Sequence, residues 1–140
     1  MSARRRGAVT ATVRRNSAAV VMLSTAGSRA EADRIAAALV DERLAACVNV
    51  VAPITSIYRW RGAVERAEEV LLVVKTRPTL VARVAARIRA LHSYELPEAI
   101  ALTVQGGSAE YLAWIAGETE SPQRARAARP RRAPPPRGRR

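Results

Sequence analysis

Cys47-Val48-Asn49-Val50-Val51-Ala52-Pro53-Ile54-Thr55-Ser56-Ile57-Tyr58-Arg59-Trp60, then Arg61-Gly62, then a return through Glu68-Glu69 into Val70-Leu71-Leu72-Val73-Val74, is the stretch on which the reading of this 140-residue chain turns. Its β-branched and aromatic residues favour extended backbone, and Pro53, with no N–H to give a ladder, marks a bend or bulge in the first arm. Arg61-Gly62 supplies the hairpin turn, since glycine takes the positive φ such turns demand. Two arms of about fifteen residues exceed the usual strand length of roughly 3 to 10. A hairpin that long projects beyond a body this small. It leaves unpaired edge amides and exposes Ile57, Tyr58 and Trp60 near its tip, a liability that pairing with another chain removes.

Outward from the hairpin, the flanking segments alternate in type. Val20-Val21-Met22-Leu23 reads as a buried strand, and Ser24-Thr25-Ala26-Gly27 as the turn after it. Ser28 and Glu31 have the spacing of a capping box, so a helix is expected from about Ala30 to Arg43 with Ala32, Ile35, Ala36 and Leu39 on its buried face. Pro78 opens a second helix, where Leu80, Val81, Val84, Ala85, Ile88 and Leu91 recur at helical spacing. Ala99 to Val104 is a last strand, and Ser108 caps a short helix bearing Tyr111, Leu112, Trp114 and Ile115. The order is β-α-β-β-α-β plus a tail helix. That predicts an α+β, ferredoxin-like split β-α-β fold with helices on one face of an antiparallel sheet.

Charge divides the chain. Of 24 Lys+Arg and 12 Asp+Glu, five arginines stand in residues 1–16, and eight arginines with two glutamates in 118–140. The span 17–117 keeps eleven basic and ten acidic residues, an almost neutral domain between two basic tails that lack the apolar content for a core and are expected to be disordered. Neither tail interleaves aromatics, so contact with nucleic acid is expected to be non-specific and salt-sensitive at most. Arg14-Arg15 precedes an apolar run too short for an export signal of roughly 7 to 15 residues, and nothing approaches the roughly 18 apolar residues of a membrane span. One cysteine, Cys47, precludes an internal disulfide and is compatible with a reducing cytoplasm, the expected location.

His92-Ser93-Tyr94-Glu95-Leu96-Pro97-Glu98 concentrates the only histidine, a tyrosine and two carboxylates in one connection. Loops on rigid scaffolds carry chemistry disproportionately, although His92 also suits the C-terminal end of the preceding helix, where the dipole favours a cation. No nucleophile in a recognisable setting and no cofactor motif accompanies it, so an enzyme is not expected.

Leu44-Ala45-Ala46-Cys47-Val48-Asn49, Tyr58-Arg59-Trp60-Arg61-Gly62, Glu68-Glu69 leading to Lys75-Thr76, the His92–Glu98 segment and Tyr111-Leu112-Ala113-Trp114 fall in the order and spacing of the CutA divalent-cation tolerance proteins. The resemblance spans about residues 19–117. It implies a ferredoxin-like protomer forming a tight homotrimer through its long hairpins, in a family named for tolerance to divalent metals, copper above all. Cys47 and His92 match positions in the family pattern and offer the thiolate and imidazole that copper favours. Cys47 also reads, and more readily, as a small buried hydrophobe within a strand, and many members carry a further cysteine where this chain has Ser24. Lys75, Tyr94, Glu98 and Glu68 are candidate residues of an intersubunit cleft, Lys75 as an anion binder or a partner of Glu98. Tyr58, Trp60 and Trp114 are candidate interface anchors. The expected function is a trimeric divalent-cation tolerance protein binding Cu(II) or a related divalent ion weakly. The alternative is a trimeric small-ligand sensor or scaffold with anion or metabolite clefts between subunits.

Overall fold

The computed structural model describes residues 19–120, and the expected tails, 1–16 and 118–140, lie outside the described residues apart from 118–120. Strands β1 (Val20–Ala26), β2 (Cys47–Trp60), β3 (Ala63–Thr76) and β4 (Ile100–Thr103) form one antiparallel sheet in the order β2-β3-β1-β4. Helices α1 (Arg29–Asp41), α2 (Val81–Leu91, entered through a 3-10 turn at Pro78–Leu80) and α3 (Ala109–Glu118) complete the ferredoxin-like fold.

Apolar periodicity decides which faces meet. Ala32, Ile35, Ala36 and Leu39 of α1 and Leu80, Val84 and Ile88 at α2 are buried against Met22, Leu72 and Val74 of the sheet. Each large aliphatic side chain buried there contributes about 1.5–3 kcal/mol. On the other face of β1, Val21, Leu23 and Thr25 are only half-buried. Strand β1 runs three residues past its expected end at Leu23. Ser24, Thr25 and Ala26 pair with Leu72, Leu71 and Val70, so the β3 ladder overrides local turn chemistry.

Helix α1 starts with half a capping box. The Ser28 hydroxyl accepts from the Glu31 N–H at 3.2 Å, but Glu31 does not return to Ser28 and instead binds Ser93. The helix ends in a Schellman arrangement, with the Arg43 N–H donating to Val40 O and the Leu44 N–H to Leu39 O. Arg43 takes φ 57°, the left-handed region that glycine enters more easily.

The hairpin turns at Arg61 (φ 48°) and Gly62 (φ 82°), positive at both central positions as a type I′ turn requires. Beyond the last β1 pair, Ala26 with Val70, the β2–β3 ladder continues for seven more pairs, from Ile54–Glu69 to Trp60–Ala63. At about 3.3 Å per residue the two-stranded ribbon projects roughly 20 Å. A register shift between Val51 and Ile54 marks the bulge expected at Pro53.

Ordered packing extends to Glu120, past the boundary expected at 117. Thr119 is buried, the Arg77 guanidinium donates to Thr119 Oγ1 at 2.8 Å and to the Ala116 carbonyl, and the Glu120 N–H donates to Arg43 O at 2.8 Å. Among the described residues no helix is long and apolar enough to cross a membrane.

Candidate functional site

Helix α2 ends at Leu91, and His92 turns its ring inward with a fully buried side chain. Nε2 lies 2.7 Å from the Thr25 carbonyl oxygen, and Nδ1 accepts the Tyr94 N–H at 3.0 Å. These partners place the proton on Nε2, which donates to Thr25. Glu31 closes the knot. Its carboxylate accepts from the Ser93 N–H at 2.8 Å and the Ser93 hydroxyl at 2.9 Å, and lies 3.3 Å from His92 Nδ1. Burial pushes the Glu31 carboxyl up, but the Ser93 hydrogen bonds, with the nearby His92 ring and the Arg34 guanidinium, outweigh it and hold the group below its ordinary 4.5. The first turn of α1 is thereby tied to the loop after α2.

That tie aims Tyr94 across the base of the hairpin. Its hydroxyl donates to Glu69 Oε2 at 2.9 Å, beneath Gly27, where an added Cβ would stand 3.0 Å from the Tyr94 oxygen. Burial, then the bond to Glu69 and the surrounding negative charge, push the Tyr94 phenol up to about 12. Glu69 is 8% exposed and belongs to a cleft of about 740 Å³ whose walls include Thr25, Tyr58, Trp60, Tyr94 and Glu98. At its rim the Arg61 guanidinium pairs with Glu95 at 3.3 Å and lies 5.4 Å from the Trp60 ring centroid.

Of the four residues expected at a cleft between subunits, Tyr94 and Glu98 line this one within a single chain, and Glu68 and Lys75 do not. Glu68 pairs with Thr55 and is exposed, while its neighbour Glu69, on the opposite face, enters the cleft. Lys75 sits at the other end of the sheet, paired with Val21 and Cys47, its ammonium 3.9 Å from Cys47 Sγ. Within one chain Lys75 does not line this cleft. Tyr58 and Trp60 are on the hairpin, whereas Trp114 stacks with Tyr111 on α3, whose Ile115 packs on Ala19 and Ala46 at the opposite end of the protomer.

The donors expected for copper do not meet. Cys47 is level with Val21 across the sheet, and His92 binds Thr25, four residues away along β1, or about 13 Å. Metal–ligand bonds are about 2.0–2.3 Å, and both ring nitrogens of His92 already have partners. Cys47 remains a free, half-buried thiol, and among the described residues no group of three His, Cys, Asp or Glu side chains is placed to hold a metal ion. One chain alone does not fit a copper ion. Sequence reasoning missed the Glu31–Ser93–His92 knot because the Ser28–Glu31 spacing already had a local explanation. Ser24, where many relatives were expected to have cysteine, is fully buried with an unpartnered hydroxyl.

Comparison with known proteins places this geometry. Residues 20–118 match the family model of the CutA1 divalent ion tolerance protein. The divalent-cation tolerance protein CutA of Thermus thermophilus is 48% identical over 99 residues, covering 71% of this chain and 96% of that one. The human protein CutA is 48% identical over 90 residues, covering 64% of this chain and 50% of its own length, so the chain spans about half of that relative. Among solved structures, the Thermus thermophilus Cut A1 protein superposes with a TM-score of 0.72 at 47% identity, over 73% of this chain and 99% of that chain. A structure described as the periplasmic divalent cation tolerance protein CutA of Archaeoglobus fulgidus gives 0.71 at 40% identity, over 73% and 99%. The resemblance first read from five short motifs holds across the folded body, and the chain belongs to the CutA1 divalent ion tolerance family.

Proposed function

We propose that this chain acts as a cytoplasmic homotrimer in divalent-cation tolerance, binding copper or a related divalent ion weakly and catalysing no reaction. The observation that carries the assembly is the naked ribbon: Ile57 and Val64 are 64% and 65% exposed, and Tyr58 and Trp60 stand beside them. Strands β2 and β4 are the two edges of the sheet. Head-to-tail contact between unlike surfaces closes into a ring when the rotation allows it, and a ring of three covers hairpin and edge alike. Trp114, at the far end of the protomer, meets a neighbour's hairpin in such a ring.

Within that assembly Cys47 is the donor the chemistry supports for copper, with further ligands drawn from other subunits, while His92 holds its loop. Sedimentation of the full chain tests the assembly, with the mass of three chains expected and a single-chain mass fatal to it. Copper titration tests the cargo: Cys47→Ala weakens binding roughly tenfold or more, and unchanged affinity removes the thiolate from the proposal.

A second reading, a trimer that senses a small ligand, draws its support from the cleft between Glu69, Tyr94 and the hairpin. A ligand that raises the melting temperature without any copper response favours it.

A further inference from the structure

The cleft has a one-signed wall. Glu69, Glu95 and Glu98 face it together with the rings of Tyr58, Trp60 and Tyr94, and none of its lining residues is Lys, Arg or His. An anion entering past Arg61 at the rim would lose its water and meet like charge along the wall. A bare metal ion finds no convergent set of three donors among the described residues. The volume, about 740 Å³, matches an organic ligand, for which pockets run roughly 300–1,000 Å³.

Glu69 sharpens this. It is more than nine-tenths buried, lines the cleft, and its Oε2 takes the Tyr94 hydroxyl. A carboxylate largely withdrawn from water favours a cation beside it. The chain also displays what the wall selects: at the rim, the Arg61 guanidinium sits against the Trp60 ring and the Glu95 carboxylate at once. Cation–π attraction and a charge-assisted hydrogen bond act there on one planar cation. Along the same wall Tyr58 and Tyr94 stand with Glu69 and Glu98, Tyr94 bonded to Glu69, and none of the lining residues is basic.

We propose that this cleft binds a small organic cation, an ammonium or guanidinium group on an apolar body, with Glu69 as its charge partner and Tyr58 and Trp60 as its ring faces. The proposal deepens the sensing reading above and rests on it, not on copper.

The test titrates the full chain with n-butylguanidinium and, separately, with pentanoate, following the indole N–H resonances of Trp60 and Trp114. The expected result is a saturable shift of Trp60 with the cation and no shift with the anion. Glu69→Gln keeps an oxygen for the Tyr94 hydroxyl and weakens the cation roughly tenfold or more. Glu98→Gln, on an exposed loop, weakens it several-fold and keeps the test alive should the first variant fold poorly. A Trp60 resonance that stays still at millimolar cation, that follows pentanoate equally, or that saturates at the same concentration in both variants overturns the proposal. Sedimentation of the same samples separates the two failures. A single chain that still titrates refutes the trimer alone, and a trimer that does not titrate refutes the cation site alone.

Discussion

Replacing Tyr94 by phenylalanine removes one oxygen and isolates the bond that joins the α2–β4 loop to the hairpin. The hydroxyl donates to Glu69 Oε2 at 2.9 Å, and Glu69 is 8% exposed on a ladder strand that cannot carry it elsewhere. A hydrogen bond to a charged acceptor contributes about 1.5–3 kcal/mol net, and the open side of the cleft lets water take part of the role, which points to the lower end. A loss of about 1.5 kcal/mol, against a urea slope of about 1–3 kcal/mol per molar for a domain of this size, lowers the unfolding midpoint by about 1 M, with the slope unchanged. Protein concentration must be equal in both samples, because assembly adds to apparent stability.

The same bond has an optical signature. The Tyr94 phenol is pushed up to about 12 from an ordinary 10, so its contribution to stability is present below pH 10 and is lost as pH rises through about 12. Phenolate absorbance of the wild type therefore contains a late step near pH 12 that Tyr94→Phe lacks and Glu69→Gln moves earlier. A phenylalanine variant with an unchanged midpoint and an unchanged late step refutes the tie between the loop and the hairpin.

Three other perturbations follow from the structure. Glu31→Gln removes a carboxyl held below 4.5; that contribution is present above pH 4.5 and lost as pH falls through the lowered value, so the variant is less stable than wild type at pH 7 and the gap closes toward pH 3, as urea midpoints across that range check. Ser24→Ala deletes a buried hydroxyl without a partner and raises stability by up to about 1 kcal/mol, a gain of a few degrees in Tm by calorimetry. Arg43→Gly relieves a side chain at φ 57° worth about 1 kcal/mol and gives up only an exposed 3.9 Å pair with Glu118, so its Tm is equal or higher, whereas Arg43→Val lowers it.

Helices were legible where burial and periodicity act together. Ala32, Ile35, Ala36 and Leu39 recur at helical spacing, and that spacing alone selects the face that meets the sheet. Local chemistry misled where a distant partner competed for the same group. Ser24 to Gly27 reads as a turn until β3 supplies the ladder, and Glu31 reads as a reciprocal cap until Ser93 arrives from 62 residues away. His92 offered two free nitrogens on paper, and the fold fills both from backbone groups. No spacing rule reports such partners, because they depend on where α2 stops relative to β1.

The cleft residues turn on a subtler matter of phase. Paired residues in an antiparallel ladder share a face, and successive residues alternate. Up to the bulge the odd positions of β2, Cys47, Asn49 and Val51, share a face with Lys75, Val73 and Leu71; after it the even positions, Ile54, Ser56, Tyr58 and Trp60, stand opposite Glu69, Ala67, Glu65 and Ala63. One extra residue at Ala52–Pro53 has exchanged the two sets. Without it, Ile57 and Arg59 would face the Glu69 side, and Tyr58 and Trp60 would turn to the other. Pro53 announces that pairing is interrupted but not how many residues the ladder skips, and an odd shift and an even one build opposite surfaces. The aromatic and acidic wall is thus a product of one irregularity in the ribbon, which the spacing of residues along the chain does not encode.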